Sequence, residues 1–151
     1  MKMKLLCTSL LILVLLSGCV SEKTFTTNDI EKITLALMKT ERFENGISYT
    51  IHLKNDSDFV IKQNNVFVSY PIKLGESGLK DNQYTVEADG NKLDIQPGEK
   101  ITLHVFMPFE GMGDQSVLGI DDPSIQLKGF IESVDNEHFF STGGSLIKDE
   151  G

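Results

Sequence analysis

Hydrophobic and polar residues alternate with a period of two along most of the chain after residue 28. The clearest runs are 47–53, 66–72 and 101–107, in which every second residue is apolar. Such alternation is typical of β-strands that bury one face. With the shorter runs at 33–38, 84–88, 93–95, 125–134 and 139–142, the pattern predicts an all-β protein of about seven to nine strands, arranged as an antiparallel β-sandwich or a barrel.

Turn residues separate the predicted strands. Asn45-Gly46 and the cluster 55–58 are turn signals, and Asp89-Gly90-Asn91 predicts a hairpin. Pro97-Gly98 has the order that a type II turn requires. Helical periodicity is weak and confined to residues 28–32, apart from the N-terminal segment.

The N-terminal segment has the features of an export signal. Two lysines precede an apolar run at residues 5–16, which Thr8 and Ser9 interrupt. The run is shorter than the roughly 20 apolar residues of a spanning helix and has the length of a signal-peptide core. It ends in Leu16-Ser17-Gly18-Cys19, which resembles the lipobox of bacterial lipoproteins. The resemblance implies that Cys19 becomes the first mature residue and carries a diacylglycerol; a plain secretory signal with a chance cysteine is the alternative.

These features divide the chain into three parts. We expect a cleaved signal peptide at residues 1–18, a lipidated Cys19 with a polar tether at 19–28, and a sandwich domain at 29–151. The mature chain would have 151 − 18 = 133 residues, enough to bury a core without disulfides or metals. The other cysteine, Cys7, leaves with the signal, so thiol nucleophiles and cysteine-ligated metals are excluded from the folded domain.

Two segments of the domain carry a further resemblance. A strand that ends in Asn55-Asp56-Ser57, and the turn Gln96-Pro97-Gly98-Glu99 that opens the strand 101–107, look like those of telokin-like, immunoglobulin-fold domains of Gram-positive lipoproteins. The resemblance covers about residues 45–108. It implies an immunoglobulin-like sandwich with an extracellular binding or accessory role and no shared catalytic residues. An antibody-type domain is excluded because tryptophan and an inter-sheet cysteine pair are absent.

The charge of the chain limits its partners. The formal net charge is −8, and Arg42 is the single arginine. Nucleic-acid binding requires a basic stripe, so a nucleic-acid partner is excluded. Cations or basic partners would be favoured, although solubility alone also explains an acidic surface.

No motif predicts catalysis or a cofactor. Phosphate-binding glycine loops, the His-Glu-x-x-His zinc motif and the Gly-x-Ser-x-Gly elbow are absent. His52 and His104 fall on the polar side of their strands and could approach each other, but a third metal ligand is missing. Asp121 and Asp122 are weak candidates for a calcium site, with solvated turns as the alternative. The absence of tryptophan and the low tyrosine content give no indication of a sugar cleft.

The loop that begins at Pro108 is the candidate interaction site. Strand periodicity stops there, yet Phe109 and Met112 are large and apolar, and Glu110 lies between them. Apolar side chains on an acidic loop suit a contact site on a rigid scaffold. The alternative is that Phe109 and Met112 cap the open end of the core.

We therefore expect a lipid-anchored, non-catalytic binding or accessory module at the extracytoplasmic face of the cell membrane, with a protein partner and no cofactor. A lipoprotein that binds a divalent cation or a small solute is the alternative. An envelope hydrolase is the least favoured hypothesis, because no nucleophile–base pair is recognisable.

Overall fold

A computed structural model describes residues 24–75 and 78–146. The expected signal peptide at 1–18, Cys19 and residues 20–23 of the expected tether lie outside this part of the chain. The described elements are a helix α1 (Thr27–Glu31), strands β1 (Ile33–Phe43), β2 (Gly46–Asn55), β3 (Ile61–Ser69), β4 (Ile72–Lys73), β5 (Leu79–Lys80), β6 (Val86–Glu87), β7 (Asp94–Ile95) and β8 (Lys100–Pro108), a 3-10 turn at Gln115–Val117, and strands β9 (Ser124–Ile131) and β10 (Phe139–Ser145).

The strands form two antiparallel sheets that face each other. The front sheet has the order β1-β2-β8, and the back sheet has the order β10-β9-β3-β6, with β7 also paired to β3. The two sheets together contain 3 + 5 = 8 strands, and β4 and β5 form a separate ribbon. The predicted all-β, antiparallel sandwich is therefore confirmed. The strand order is compatible with an immunoglobulin-like arrangement, in which β1-β2-β8 correspond to A-B-E and β10-β9-β3 to G-F-C.

The alternating pattern correctly predicts which side chains form the core. In β2 and β8 the buried residues are Ile47, Tyr49, Ile51, Leu53, Ile101, Leu103, Val105 and Met107. Ile51 lies directly opposite Leu103 in the sheet, and neither is accessible to solvent. A shift by one residue would turn this whole set towards solvent, so burial determines the register of the front sheet.

The structure corrects the predicted hairpin at Asp89-Gly90-Asn91. The flanking strands β6 and β7 do not pair with each other; both pair with β3. Between them Asp89 pairs with His104 of β8, so this segment crosses to the front sheet and returns. Gly90 has a φ of +99°, and a Cβ there would lie 2.7 Å from the Thr102 carbonyl oxygen. Only glycine fits this crossing.

Ordered contacts are present before residue 29, the expected start of the sandwich domain. Phe25 is half-buried against the core and lies 5.7 Å from the His138 ring, centroid to centroid. Helix α1 begins after Thr26, whose main-chain N–H donates to the Asp29 carboxylate at 3.0 Å. Phe25 and the start of α1, which fall within the expected tether at 19–28, therefore lie against the core or in a regular element. No helix in the described ranges is long and apolar enough to span a membrane.

Asn55 joins β2 to the turn that precedes β8. Its side chain is fully buried and donates to the carbonyl oxygens of Phe59 and Ile95, at 2.8 and 3.1 Å. Its main-chain N–H donates to the Glu99 carbonyl at 2.9 Å, and its own carbonyl accepts from Gly98 N–H at 2.7 Å. The two segments that carry the domain resemblance are therefore in direct contact.

The sandwich has two distinct ends. One end lies where β2 finishes and β8 begins. It contains Thr24, Phe25, α1 and the loop 132–138, and we call it the tether end. The opposite end contains the loop 108–123, the segments 70–75 and 78–85, and the β1–β2 turn; we call this the distal end. Because β2 has ten residues, the ends are separated by roughly 30 Å.

Candidate functional site

The predicted interaction loop lies at the distal end, and part of it is buried. The Met112 side chain is 4 % exposed and packs in the core cluster. Its carbonyl accepts from the buried Asn82 side-chain amide at 2.8 Å, and the same amide donates to the Tyr70 carbonyl at 2.9 Å. Met112 is therefore a cap of the core, the alternative that the sequence left open, and is not an exposed contact residue.

The other two residues of the loop remain accessible. Glu110 is exposed, and Phe109 is partly buried against the core. The Arg42 guanidinium lies 5.6 Å from the centroid of the Phe109 ring and 3.6 Å from the Asp121 carboxylate. A cation over an aromatic face is favourable, so the chain's single arginine orders this loop. A contact role for Phe109 and Glu110 stays a prediction.

Several apolar side chains surround this loop and are exposed. They are Phe43, Leu74, Leu79, Tyr84 and Val117, which we call the distal surface. Leu79 is 53 % exposed and Tyr84 is 46 % exposed. Tyr84 and Val117 line a cleft of about 470 Å³ whose floor includes Met112. None of these five residues was predicted from the sequence as a contact candidate; the large apolar residues Leu74, Leu79 and Tyr84, close to glycine and polar residues, are the signal that the sequence offers.

The two weak candidates for a calcium site do not form one. Asp121 is paired with Arg42, and the Asp122 carboxylate accepts a hydrogen bond from the Ser145 hydroxyl. Within residues 24–75 and 78–146, no group of three or more His, Cys, Asp or Glu side chains is placed to hold a metal ion. The divalent-cation alternative therefore lacks a ligand set in this part of the chain.

His52 and His104 lie on neighbouring strands of the front sheet, as their spacing suggested. The register pairs His52 with Thr102 and Thr50 with His104, so the two histidines are diagonal neighbours. His104 Nδ1 lies 3.4 Å from the Thr50 hydroxyl. Both rings belong to the outward face, and the described residues bring no third ligand to them.

A serine, a histidine and an aspartate meet at the tether end, next to a cavity of about 610 Å³. His138 Nδ1 lies 2.6 Å from Asp135 Oδ1 and 3.0 Å from Ser133 Oγ. In a hydrolase triad the aspartate and the serine contact opposite nitrogens of the ring, whereas here both contact Nδ1. The hydrogen bond from His138, aided by Ser133, lowers the pKa of Asp135 to about 2. The three side chains therefore hold the loop 132–138 together by hydrogen bonds, and they lack the geometry of a proton relay.

A second cleft, of about 480 Å³, lies on the outward face of the back sheet. It is lined largely by hydroxyl and amide side chains with one aromatic ring, that of Phe67. The sequence did not reveal this cleft, because polar residues at alternate positions of a strand equally describe a solvated face. The residues come from β3, β9, β10 and the segment 81–85, which only the fold brings together.

Comparison with known proteins adds no identification. No protein-family model matches this chain, and no curated protein is detectably similar to it in sequence.

Proposed function

We propose that this protein is a lipid-anchored binding module of the cell envelope, which engages a protein partner through its distal surface. The lipid is attached to Cys19, and the domain lies on the extracytoplasmic side of the cell membrane. The mode of action is binding without catalysis. The proposal includes the immunoglobulin-like, telokin-like character of the domain, which the strand order supports.

The observation that carries the proposal is the placement of the distal surface relative to the N-terminus. Thr24 and Phe25 lie at the tether end, and only residues 20–23 separate Thr24 from Cys19. A chain attached at Cys19 would therefore hold the tether end near the membrane and present the opposite end outward. Tyr84 and Leu79 would then be roughly 30 Å or more from the lipid surface, where a partner has access.

The chemistry of the distal surface suits a protein partner. Aromatic residues and arginine are enriched at the cores of protein interfaces. The distal surface contains Tyr84 and Phe43, and the Arg42–Phe109 pair lies at the same end of the sandwich. The backbone at Tyr84 is held in place, because its N–H donates to the Asn82 side chain, whose amide donates to the Tyr70 and Met112 carbonyls. A rigid surface loses little conformational entropy on binding.

Photo-crosslinking in cells that express the protein tests this proposal. A photoreactive phenylalanine analogue is placed at Tyr84 or at Leu79 in the full-length chain. Leu93 is the matched control, because it is apolar and 75 % exposed but lies towards the tether end, where its carbonyl accepts from Gln63 N–H at 2.7 Å. We expect one protein adduct, shared by the two distal positions and absent at Leu93.

Two results would contradict the proposal. An adduct of equal yield at Leu93 would show that the partner does not bind preferentially at the distal end. The absence of any adduct at Tyr84 and Leu79, with the protein correctly localised, would exclude a protein partner at this surface.

A further inference from the structure

The side chains on the outward face of the back sheet are arranged in regular rows, unlike those of the distal surface. Its side chains form two rows across the strands, since Ser69 pairs with Ser124 and Phe67 pairs with Gln126. Gly143 continues the second row on β10. These residues alternate with buried ones such as Val68, Ile125 and Leu127, so they point to solvent and line the 480 Å³ cleft.

We propose that this cleft binds a short, uncharged oligosaccharide. The site shares Asp81 and Asn82 with the cleft beside Tyr84, but it contains none of the five residues of the distal surface. It does not depend on the proposed protein partner or on the lipid. Its volume lies within the range of about 300–1,000 Å³ that is usual for small-molecule sites. The argument rests on its polar groups, its aromatic ring, its shape and its charge.

The polar groups match the hydroxyls of a sugar. Serine, threonine and glutamine side chains can each both donate and accept hydrogen bonds, as can every sugar hydroxyl. Gln126 Nε2 donates to Ser141 Oγ at 3.2 Å, which orients the amide, and both residues line the cleft. In the described part of the chain, the side chains of Ser69 and Asp81 have no hydrogen-bond or ion-pair partner, so both are available to a ligand.

Phe67 supplies the one aromatic ring of the cleft lining. Lys128 Nζ lies 5.4 Å from the ring centroid, and Lys128 is two residues beyond Gln126 on the tether side. The lysine therefore contacts the ring at the border of the cleft, beside its register partner Ser141, which lines the cleft. A pyranose presents a C–H face that packs on such a ring, and its hydroxyl edges would reach the serine and glutamine side chains.

Gly143 determines the shape of the cleft. A Cβ at this position would lie 2.4 Å from the Ile125 carbonyl oxygen, so the close approach of two backbones requires glycine. The consequence is a missing side chain opposite Gln126, which leaves the groove open where β10 borders it.

The charge of the cleft selects against ionic ligands. Asp81 is its one ionisable lining residue, and the whole chain carries a formal net charge of −8. An anionic polymer would be repelled, and a single carboxylate supplies too few ligands to bind a cation. A carboxylate among hydroxyls is a strong acceptor for neutral O–H donors.

Isothermal titration of the detergent-solubilised full-length chain tests this inference. The neutral probes are cellohexaose, maltohexaose, xylohexaose and hexa-N-acetylchitohexaose, and trigalacturonic acid is the anionic comparison. We expect saturable binding, at millimolar affinity or tighter, of at least one neutral probe. Phe67→Leu and Gln126→Ala should each weaken that binding at least tenfold. Thr102→Val, at an exposed position on the front sheet, should leave it unchanged.

Each other outcome overturns the inference. Failure of all neutral probes to bind, or tighter binding of trigalacturonic acid, excludes an uncharged sugar as the ligand. Binding that both cleft variants retain places the sugar elsewhere. If Phe67→Leu does not fold, Gln126→Ala decides alone, because Gln126 is exposed. None of these results bears on the distal crosslinks, so the two proposals fail separately.

Discussion

Tyr70 Oη donates a hydrogen bond to the Met107 carbonyl oxygen, 3.1 Å away, and thereby joins the two sheets. Tyr70 directly follows β3 of the back sheet, and Met107 belongs to β8 of the front sheet. The Tyr70 side chain is fully buried, and this burial raises the pKa of its hydroxyl. The link therefore depends on the neutral form of the side chain.

Alkaline pH should destabilise the domain through Tyr70. A raised pKa in the folded state means that the stabilising contribution is complete below the unfolded value of about 10 and is lost as the pH rises above it. Tyr70→Phe should lower the free energy of unfolding by about 0.5–1.5 kcal/mol at neutral pH and flatten the alkaline decline. Urea titrations at neutral and alkaline pH measure both effects; an unchanged alkaline slope would contradict this account.

Acidification should weaken the hydrogen-bonded cluster of Ser133, Asp135 and His138 at the tether end. The pKa of Asp135 is lowered from its ordinary value of 3.8 to about 2, so its contribution is present above pH 4 and is lost as the pH falls towards 2. Asp135→Asn should therefore reduce the acid dependence of the melting temperature. Equal acid slopes in the variant and the parent protein would show that this carboxylate does not support the loop.

Replacement of Asn55 should destabilise the domain far more than replacement of a surface asparagine. Asn55→Ala leaves the Ile95 carbonyl without its donor, and each buried group left unpaired costs about 1–3 kcal/mol. Asn65→Ala is the matched control, because Asn65 donates only to Glu87 on an exposed face, and we expect a change below about 0.5 kcal/mol. Denaturant unfolding of both variants measures the difference, and equal losses would refute the structural role of Asn55.

Met112 and Glu110 should differ sharply although they lie two residues apart. Met112→Ala should cost about 2–5 kcal/mol because it creates a cavity in the core. Glu110→Ala, at an exposed position, should change the free energy of unfolding by less than about 0.5 kcal/mol. A tolerated Met112→Ala, judged by the denaturant midpoint, would return this residue to the set of contact candidates.

Cys19→Ala should prevent lipid attachment and either release the protein or leave its signal uncleaved. One acyl chain binds a membrane only marginally, whereas two give stable attachment. Mass spectrometry of the mature wild-type protein measures the modification directly. An unmodified Cys19 at the mature N-terminus would exclude the lipoprotein hypothesis and leave the sandwich fold untouched.

The sequence by itself determined the fold class and the core of the longest strands. The alternation at 47–53 and 101–107 identified the side chains that are buried in β2 and β8, because a residue's side of a strand depends only on its position along the chain. Even the weak helical signal near residue 28 coincides with α1. The order Pro97-Gly98 also predicted a turn correctly, and Gly98 has the positive φ that its second position requires.

Only the tertiary structure decided which segments pair and which side chains share a surface. Asp89-Gly90-Asn91 has the local composition of a hairpin, yet Asp89 pairs with His104, fifteen residues further along the chain. In the sequence Met112 stands in a loop, but in the folded sandwich its side chain is buried. The cleft around Phe67 joins residues of separate strands, and local sequence carries no information on strand neighbours. Pairing depends on the total burial of two sheets against each other, which is a property of the whole domain.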